Sequence, residues 1–547
     1  MRYLRLLGTE ANCTEAVAGV WTLALESQGA TRQHGSMLVS LVLAGMLLTA
    51  EPPLAIPESA LEPALSPSGL EDLHRVHPTT TWQITATLDE AAGTIGGTAV
   101  LTWRNDEAVA IPDLCLQTLA NGVPFHGAAL TLSDVRVSDA PPSTTAPAAE
   151  PLADGAYLRV PLTTPLAPGA TVTLRCSFVT KPSTEGGLYG LLSRTSDAWC
   201  LYAWHPEVAL RRNGAWAIDA VQEHTDPTRT ATAHALFMLD VPTAIEVVAG
   251  GVITNRQQTA EGRTTLTIAA PFNRNQVLVL ARGLVEESRT TNGITVHSWH
   301  RPGLELGGRR VLDACSGALT LYSERFGAYP FTELDAVAAP LGPEIGGMES
   351  TGLVIMDEKA YEAARYLDAD CGPAVLPIFM LMVCAAHETG HQWWYSAVGN
   401  DPYHDPWLDE SLTNWTGNFW MEQQGGPGAG GLAFGMCLTE AGMGKRNAPL
   451  TKTIPEYPSF EAYGAVIYAR GALFYQWLRR RMGDERFFAF LRAWYSEHRW
   501  TVATPADWHA TLARFATPEI LADTDHWLSG DGLTPTMLVD GSKPPKK

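Results

Sequence analysis

The most constraining feature of the sequence is the stretch His387-Glu388-Thr389-Gly390-His391, which follows a strongly apolar run at residues 375–386. On a helix, residues four positions apart lie on one face, so His387 and His391 can present two imidazole nitrogens to one point. The apolar residues before them predict a helix that crosses a core. A further acid, Glu410, follows after eighteen intervening residues, near the start of a second helix predicted from Pro406.

These residue types and spacings are typical of a catalytic zinc site. Zinc in such a site takes three protein ligands, here His387, His391 and Glu410, and keeps one position for water. A carboxylate beside the first ligand, here Glu388, can accept a proton from that water and pass it to a leaving amine. The same pattern arises by chance in exposed helices, but the apolar surroundings and the second helix start argue against chance. The sequence therefore predicts a hydrolase with Zn²⁺ as its cofactor.

Three motifs around these residues resemble the M1 family of zinc aminopeptidases, the gluzincins with a thermolysin-like catalytic domain. They are His-Glu-Thr-Gly-His-Gln-Trp-Trp at 387–394, Gly-Asn-Asp at 399–401 and Trp-Leu-Asp-Glu-Ser-Leu at 407–412. The resemblance implies a metallopeptidase that hydrolyses the first peptide bond of peptides with a free N-terminus. It also implies an exopeptidase motif upstream and a catalytic tyrosine downstream, and both have counterparts in this chain.

The upstream counterpart is Gly346-Gly347-Met348-Glu349-Ser350. The resemblance implies that Glu349 binds the α-amine of the substrate, and that Gly346, Gly347 and Met348 lie along the substrate chain. A carboxylate is a suitable partner for an ammonium group, and glycine permits close approach of the backbone. Ser350 departs from the asparagine usual in the family, which leaves the bracing of this motif open.

The downstream counterpart is Tyr468, in the sequence Tyr-Ala-Arg-Gly-Ala. The resemblance implies that its hydroxyl stabilises the negative charge that develops on the substrate, a contribution of about 3–4 kcal/mol for such a donor. Arg470 replaces the usual lysine and keeps the positive charge with a different hydrogen-bond geometry. Tyr463, five residues earlier, is a second candidate for the substrate pocket or else a core aromatic residue.

The fold class predicted from the patterns is multidomain α+β. Residues 73–301 contain short alternating segments between Gly and Pro turns, which predict an N-terminal all-β saddle or sandwich. Residues 302–530 are expected to form a mostly helical, thermolysin-like catalytic domain. The predicted strands are 82–88, 98–103, 156–162, 171–179, 234–241, 245–249, 264–269, 276–281, 294–299, 334–339 and 353–356, and the predicted helices are 306–326, 474–481, 486–498 and one that opens at 504–508.

The two ends of the chain are expected to lie outside these domains. Residues 1–72 are interpreted as a leader followed by a Pro/Ala-rich linker, and residues 531–547 as a disordered tail. Residues 37–50 are apolar or small over a length that suits a secretory signal and is too short to span a bilayer. They favour a secreted or periplasmic protein, and a buried helix in a cytoplasmic protein is the alternative.

Composition narrows the class of partner. The net charge of −20 and the pI near 5.2 argue against nucleic acid and anionic membrane surfaces. The eight cysteines stand singly, without the Cys-x-x-Cys spacing of a zinc knuckle or a redox motif. Cys176 and Cys200 could pair if the protein is exported.

The sequence thus favours a zinc-dependent aminopeptidase that acts on peptides, with no integral membrane span. Three alternatives stay open: an endopeptidase or carboxypeptidase on the same zinc centre, an epoxide hydrolase as known for one branch of the family, and a non-catalytic binding protein with this fold. The exopeptidase motif argues against the first, and the intact metal, base and tyrosine positions argue against the last. Oligomeric state and the preferred N-terminal residue are not encoded in any motif.

Overall fold

The computed structural model describes residues 55–529 except 138–148, 224–225, 260–261, 344, 366–375 and 443–447. The predicted signal segment at 37–50 and the predicted tail at 531–547 lie outside the described residues. An N-terminal part built from β-sheets is followed by a mostly helical part, which confirms the predicted α+β class.

The N-terminal part contains a seven-stranded sheet in the order β15-β16-β13-β1-β2-β7-β4, two four-stranded sheets (β10-β3-β6-β5 and β14-β17-β9-β8) and a small hairpin, β11-β12. The strands are β1 (Thr80–Asp89), β2 (Thr94–Arg104), β3 (Ile111–Gln117), β4 (Ala129–Val137), β5 (Glu150–Leu152), β6 (Tyr157–Leu166), β7 (Thr171–Lys181), β8 (Leu192–Arg194), β9 (Ala198–Leu201), β10 (Glu207–Val208), β11 (Arg211–Arg212), β12 (Ala215–Trp216), β13 (Ala233–Pro242), β14 (Glu246–Ala249), β15 (Val252–Gln258), β16 (Arg263–Asn273) and β17 (Leu278–Ala281).

Alternation of apolar residues accounts for the strands that the sequence predicts. In β1, Trp82, Ile84, Ala86 and Leu88 are buried while the residues between them are more exposed. The strands that the sequence does not predict lack this alternation of apolar and polar residues. One example is β15, in which every residue is at least partly exposed, so it takes its place by pairing with β16.

The segment predicted to be a linker is packed against the helical part from residue 58 onward. It forms two short 3₁₀ turns and the helix α1 (Pro67–Leu73). Leu61, Leu65 and Leu73 are buried in the same hydrophobic cluster as the catalytic helices, and Ser66 N–H donates to Pro330 O at 3.0 Å. The Pro/Ala-rich composition was a misleading signal here, because three leucines spaced through it supply the apolar contacts.

The helical part is built on a five-stranded sheet in the order β18-β19-β20-β22-β21. Its strands are β18 (Val285–Thr291), β19 (Ile294–His300), β20 (Glu333–Ala339), β21 (Gly347–Ser350) and β22 (Leu353–Asp357). Strand β19 pairs in parallel with β20, although it lies on the N-terminal side of the predicted domain boundary at residue 302. The boundary itself stays a prediction.

Helices cover this sheet and form the rest of the core. They are α2 (Glu305–Arg325), α3 (Glu358–Ala364), α4 (Leu376–Gly390), α5 (Glu410–Gly442), α6 (Phe460–Tyr463), α7 (Gly471–Met482), α8 (Asp484–His498), α9 (Pro505–Leu512) and α10 (Pro518–Ser529). Helix α5 is interrupted at Gly426, which has a positive φ of 68° and is followed by Pro427. Among the described residues, no helix is long and apolar enough to cross a bilayer.

Candidate metal centre and substrate cavity

Helices α4 and α5 together bring the predicted metal ligands to one point. His387 lies in the last turn of α4 and His391 directly follows it, while Glu410 is the first residue of α5. The two helices pack closely at Gly417, where a Cβ atom would lie 3.1 Å from the backbone nitrogen of His387. A larger residue at 417 would therefore push α5, and Glu410 with it, away from the histidines.

The spacing of the donor atoms fits a tetrahedral metal ion. His387 Nε2 lies 3.1 Å from His391 Nε2, and Glu410 Oε2 lies 3.4 Å and 3.5 Å from these two nitrogens. Ligands at about 2.0–2.1 Å from a tetrahedral zinc ion are separated from each other by about 3.3 Å. All three side chains are buried, so the set is preformed for a divalent cation.

The buried carboxylates at and around these three ligands would also be stabilised by a cation. Burial and the neighbouring Glu410 and Asp409 raise the pKa of Glu349 to about 7. Burial raises the pKa of Glu388 well above its ordinary value, and the Glu349 carboxylate adds to the shift. Burial alone would also raise the pKa of Glu410, but the two histidines hold it low. A divalent ion at this point would stabilise all three carboxylates in their charged form.

A second carboxylate fixes the orientation of one ligand. Asp409 Oδ1 lies 2.7 Å from His391 Nδ1, and both side chains are buried. With Nδ1 donating to Asp409, the Nε2 atom of His391 carries its lone pair toward the metal position. Burial lowers the pKa of His387 to about 4, so this imidazole is neutral, as a metal ligand must be.

Glu388 faces the cavity beside the metal position. It packs against β21, where a Cβ atom on Gly347 would come within 2.6 Å of Glu388 Oε1. Only glycine at this position leaves room for the carboxylate. The thiol of Cys384, one turn earlier on α4, donates to the same oxygen at 3.7 Å.

The exopeptidase motif forms the edge strand β21, which is paired on one side with β22 only. Glu349 is buried, its Oε2 lies 4.0 Å from His391 Nε2, and its Oε1 has no hydrogen-bond partner. Ser350, which replaces the usual asparagine, donates to the backbone oxygen of Asn275 at 3.1 Å. Gln392 holds the same strand by donating to Ser350 O at 2.8 Å and accepting from Gly352 N–H at 2.9 Å.

The tyrosine motif lies on the other side of the metal position, in a π-helical turn at Gly464–Arg470. The Tyr468 hydroxyl donates to Glu410 Oε1 at 2.5 Å, and its ring stacks on His387 at 5.8 Å between centroids. Arg470 points away from the cavity and donates to the backbone oxygens of Ala448 and Trp527. It therefore anchors the turn and contributes no charge to the substrate.

Tyr463 does not line the cavity, contrary to its place among the expected pocket residues. Its buried ring packs edge-on against Tyr468, with 5.7 Å between centroids. It lies one layer behind Tyr468 and fixes the position of that ring. The sequence could not separate these two roles, because both place an aromatic residue near the same turn.

The structure adds residues that no motif revealed. Asp226 from the N-terminal part lines the cavity, is 6% exposed and has no hydrogen-bond partner for Oδ2. Burial and then the Glu349 and Glu410 carboxylates raise its pKa well above the ordinary value. Tyr189 and Phe460, whose rings meet edge to face with their centroids 6.4 Å apart, form an aromatic wall of the same cavity. These three residues are distant in sequence, and no local pattern marks them.

The complete cavity is small, with a volume of about 40 Å³. Of the predicted site residues it brings together Gly346, Gly347, Met348, Glu349, His387, Glu388, His391, Glu410 and Tyr468.

Comparison with known proteins agrees with this geometry. Residues 310–527 match the model of the peptidase family M1 domain. Over these residues the chain is similar to the M1 peptidases. Among curated relatives, aminopeptidase N of Lactococcus lactis is 25% identical over 231 residues, which cover 41% of this chain and 26% of the relative. Aminopeptidase N of Acetobacter pasteurianus is 27% identical over 186 residues, which cover 33% of this chain and 51% of the relative.

A solved structure has the same architecture as this chain. The M1 zinc metallopeptidase from Deinococcus radiodurans matches with a TM-score of 0.59 at 18% identity, over 84% of this chain and 96% of that one. At this identity the match establishes the fold. The chain spans no more than about half the length of the two curated relatives that it matches.

Proposed function

We propose that this protein is a zinc-dependent aminopeptidase that removes the N-terminal residue of peptides. The observation that carries the proposal is the position of Glu349, a buried carboxylate with a free oxygen, 4.0 Å from one member of the candidate metal-ligand set. An ammonium group held there lies within about one residue of the metal position, so only the first peptide bond reaches it. The relatives named as aminopeptidases support the same activity.

Zinc held by His387, His391 and Glu410 would act as a Lewis acid and lower the pKa of a bound water to about 7. Glu388 accepts the proton from the attacking water and transfers it to the leaving amine. A divalent ion held by the three ligands would lower the raised pKa of Glu388, so that its carboxylate is charged and able to accept the proton.

Three further residues orient the substrate. Glu349 binds the α-ammonium group, and Asp226, which lines the same cavity, adds a second negative charge. Tyr468 exchanges its hydrogen bond to Glu410 for one to the scissile carbonyl oxygen as negative charge develops there. Strand β21 offers its unpaired edge to the extended peptide backbone.

The test is hydrolysis of a panel of aminoacyl amides beside their N-acetylated counterparts, with zinc-loaded protein and the Glu388→Gln variant as the background control. We expect cleavage of the free-amine substrates alone. Equal cleavage of blocked and free substrates would mean an endopeptidase. Cleavage of neither, by protein that holds zinc, would favour the lipid-epoxide or binding-protein alternatives.

Export is a separate proposal that rests on residues 37–50 alone. It is tested by sequencing the N-terminus of the mature protein from the extracytoplasmic fraction. A cytoplasmic protein with an intact N-terminus would contradict it. In the structure Cys176 and Cys200 are free thiols, so the pairing considered for an exported protein is not present.

A further inference from the structure

A second cavity lies apart from the catalytic site. It has a volume of about 410 Å³, within the range of small-molecule pockets, and shares no lining residue with the metal-centred cavity. Its walls come from β1, β2 and β13, from the segment that contains β10 and β11, and from residues 500–502. Four large aromatic residues line it: Trp82, Trp103, Phe237 and Trp500.

One buried acid in this wall has no cation. Glu207, on β10, is 6% exposed, and among the residues that the structure describes none forms an ion pair with it. The backbone N–H of Gln276 donates to its carboxylate, but burial dominates and raises its pKa to about 8. Buried acids are rarely left without a cationic partner, since the charged form is costly to desolvate.

Two of the arginines that line this cavity are engaged elsewhere. The Arg274 guanidinium donates to four backbone oxygens, those of Ser396 at 3.0 Å, Thr230 at 3.2 Å, Ala397 at 3.4 Å and Thr501 at 2.6 Å. Arg211 makes a two-pronged ion pair with Glu107, at 2.5 Å and 2.8 Å. Neither side chain is therefore available to neutralise Glu207.

His205, two residues before Glu207, does not supply the charge either. Its ring packs against Trp82 and Phe237, with centroids 6.2 Å and 5.6 Å apart. Burial lowers its pKa to about 4, so it is neutral at physiological pH. The cavity thus combines an unpaired acid with aromatic faces, a combination suited to an organic cation.

We propose that this cavity binds a small organic ammonium ion, whose charged head pairs with Glu207 and whose apolar body lies among Trp82, Trp103 and Phe237. A neutral ligand of the same shape would fill the aromatic part and leave the acid without a cation.

The test uses zinc-loaded protein that carries Glu349→Gln, so that the acid proposed to bind amines in the catalytic cavity is absent. Binding of phenethylammonium is measured by titration calorimetry and compared with that of 2-phenylethanol, its neutral analogue. Adding Glu207→Gln should weaken phenethylammonium binding by about tenfold or more, as expected for loss of a buried charge-assisted hydrogen bond. Adding Asp106→Asn, which removes an exposed acid of the same lining, should change it less than about twofold.

Three outcomes would overturn the proposal. They are no saturable binding of phenethylammonium by folded protein, equal binding with and without Glu207→Gln, and binding of 2-phenylethanol as strong as that of the cation. Thermal unfolding of each variant verifies that the folded state is retained, and an equal loss in the Asp106→Asn variant would show a long-range charge effect instead of a site.

Discussion

The two cavities of this molecule differ in size and in the way they hold charge. The metal-centred cavity has a volume of about 40 Å³ and gathers several carboxylates around two imidazoles. The other cavity is about ten times larger, is lined by aromatic rings, and contains one buried acid without a cation, Glu207. A dense group of acids with nitrogen donors suits a divalent metal. A buried acid among aromatic rings suits a monovalent organic cation.

The substitution with the largest expected effect tests whether a carboxylate of the small cavity transfers a proton. Glu388→Gln should lower kcat by about 10³-fold, because the amide cannot accept a proton, while zinc content by mass spectrometry stays at one ion per chain. Cys384→Ala is the matched control, since Cys384 contacts the same carboxylate oxygen but has no role in proton transfer. A kcat within tenfold of wild type for Glu388→Gln would contradict the proposed role.

A smaller effect is expected on the tyrosine side of the same cavity. Tyr468→Phe should lower kcat/KM by about 10²–10³-fold, since it removes a donor to the developing negative charge. Tyr463→Phe, which removes only the hydroxyl of the ring behind Tyr468 and keeps the ring contact, should cost less than about tenfold. If both variants lost activity equally, the hydroxyl of Tyr468 would have no special role and the loss would reflect packing.

The large cavity makes a prediction about pH and stability. The pKa of Glu207 is raised from 4.5 to about 8 in the folded protein. Between these values the unfolded chain releases a proton that the folded chain keeps, so stability falls as pH rises and levels off above pH 8. The Glu207→Gln substitution should remove the contribution of this carboxyl group to the pH dependence of stability.

The size of that effect is limited by the pKa difference. The shift corresponds to at most about 5 kcal/mol, and water in the cavity is expected to reduce it to about 2–3 kcal/mol. Urea unfolding of wild type and Glu207→Gln from pH 5 to pH 9 measures it. Parallel pH curves for the two proteins would show that Glu207 is paired and ionised, which would remove the contrast between the cavities.

The smallest effect concerns the support of one metal ligand. Asp409→Asn keeps an acceptor for His391 Nδ1 but loses the charge, so zinc affinity should fall by about 10–100-fold. Activity should return when zinc is supplied in excess, as measured by titration of the chelated enzyme. Activity that stays lost at saturating zinc would place Asp409 in the reaction itself.

How well each cavity can be predicted from the sequence depends on how far apart its lining residues lie along the chain. Helical periodicity places His387, Glu388 and His391 together, and the spacing to Glu410 at the start of the next long helix matches the motif of the family that the sequence resembles. Asp226 reaches the same cavity from a loop and Phe460 from the short helix α6, and no periodic pattern connects them to it. Glu207 lies in a two-residue strand whose position depends on pairing with β3.

The secondary structure likewise contains elements that the sequence predicts and elements that it does not. Strands with clear alternation, such as β1, were predicted within a few residues, because one face is buried and the other is not. Strand β15 and the packed segment at 58–73 were missed, since their positions depend on partners supplied by tertiary structure. At residues 58–73 the proline content indicated a linker, but Leu61, Leu65 and Leu73 in this segment are buried and hold it in the core.

The most direct test of the central claim is the ratio of kcat/KM for alanine p-nitroanilide to that for its N-acetyl derivative, in wild type and in Glu349→Gln. If Glu349 binds the substrate ammonium group, wild type should favour the free amine by about 10²-fold or more, and Glu349→Gln should reduce that preference at least tenfold while zinc stays bound. An unchanged preference in the variant would contradict the account, because the exopeptidase specificity would then not depend on this carboxylate.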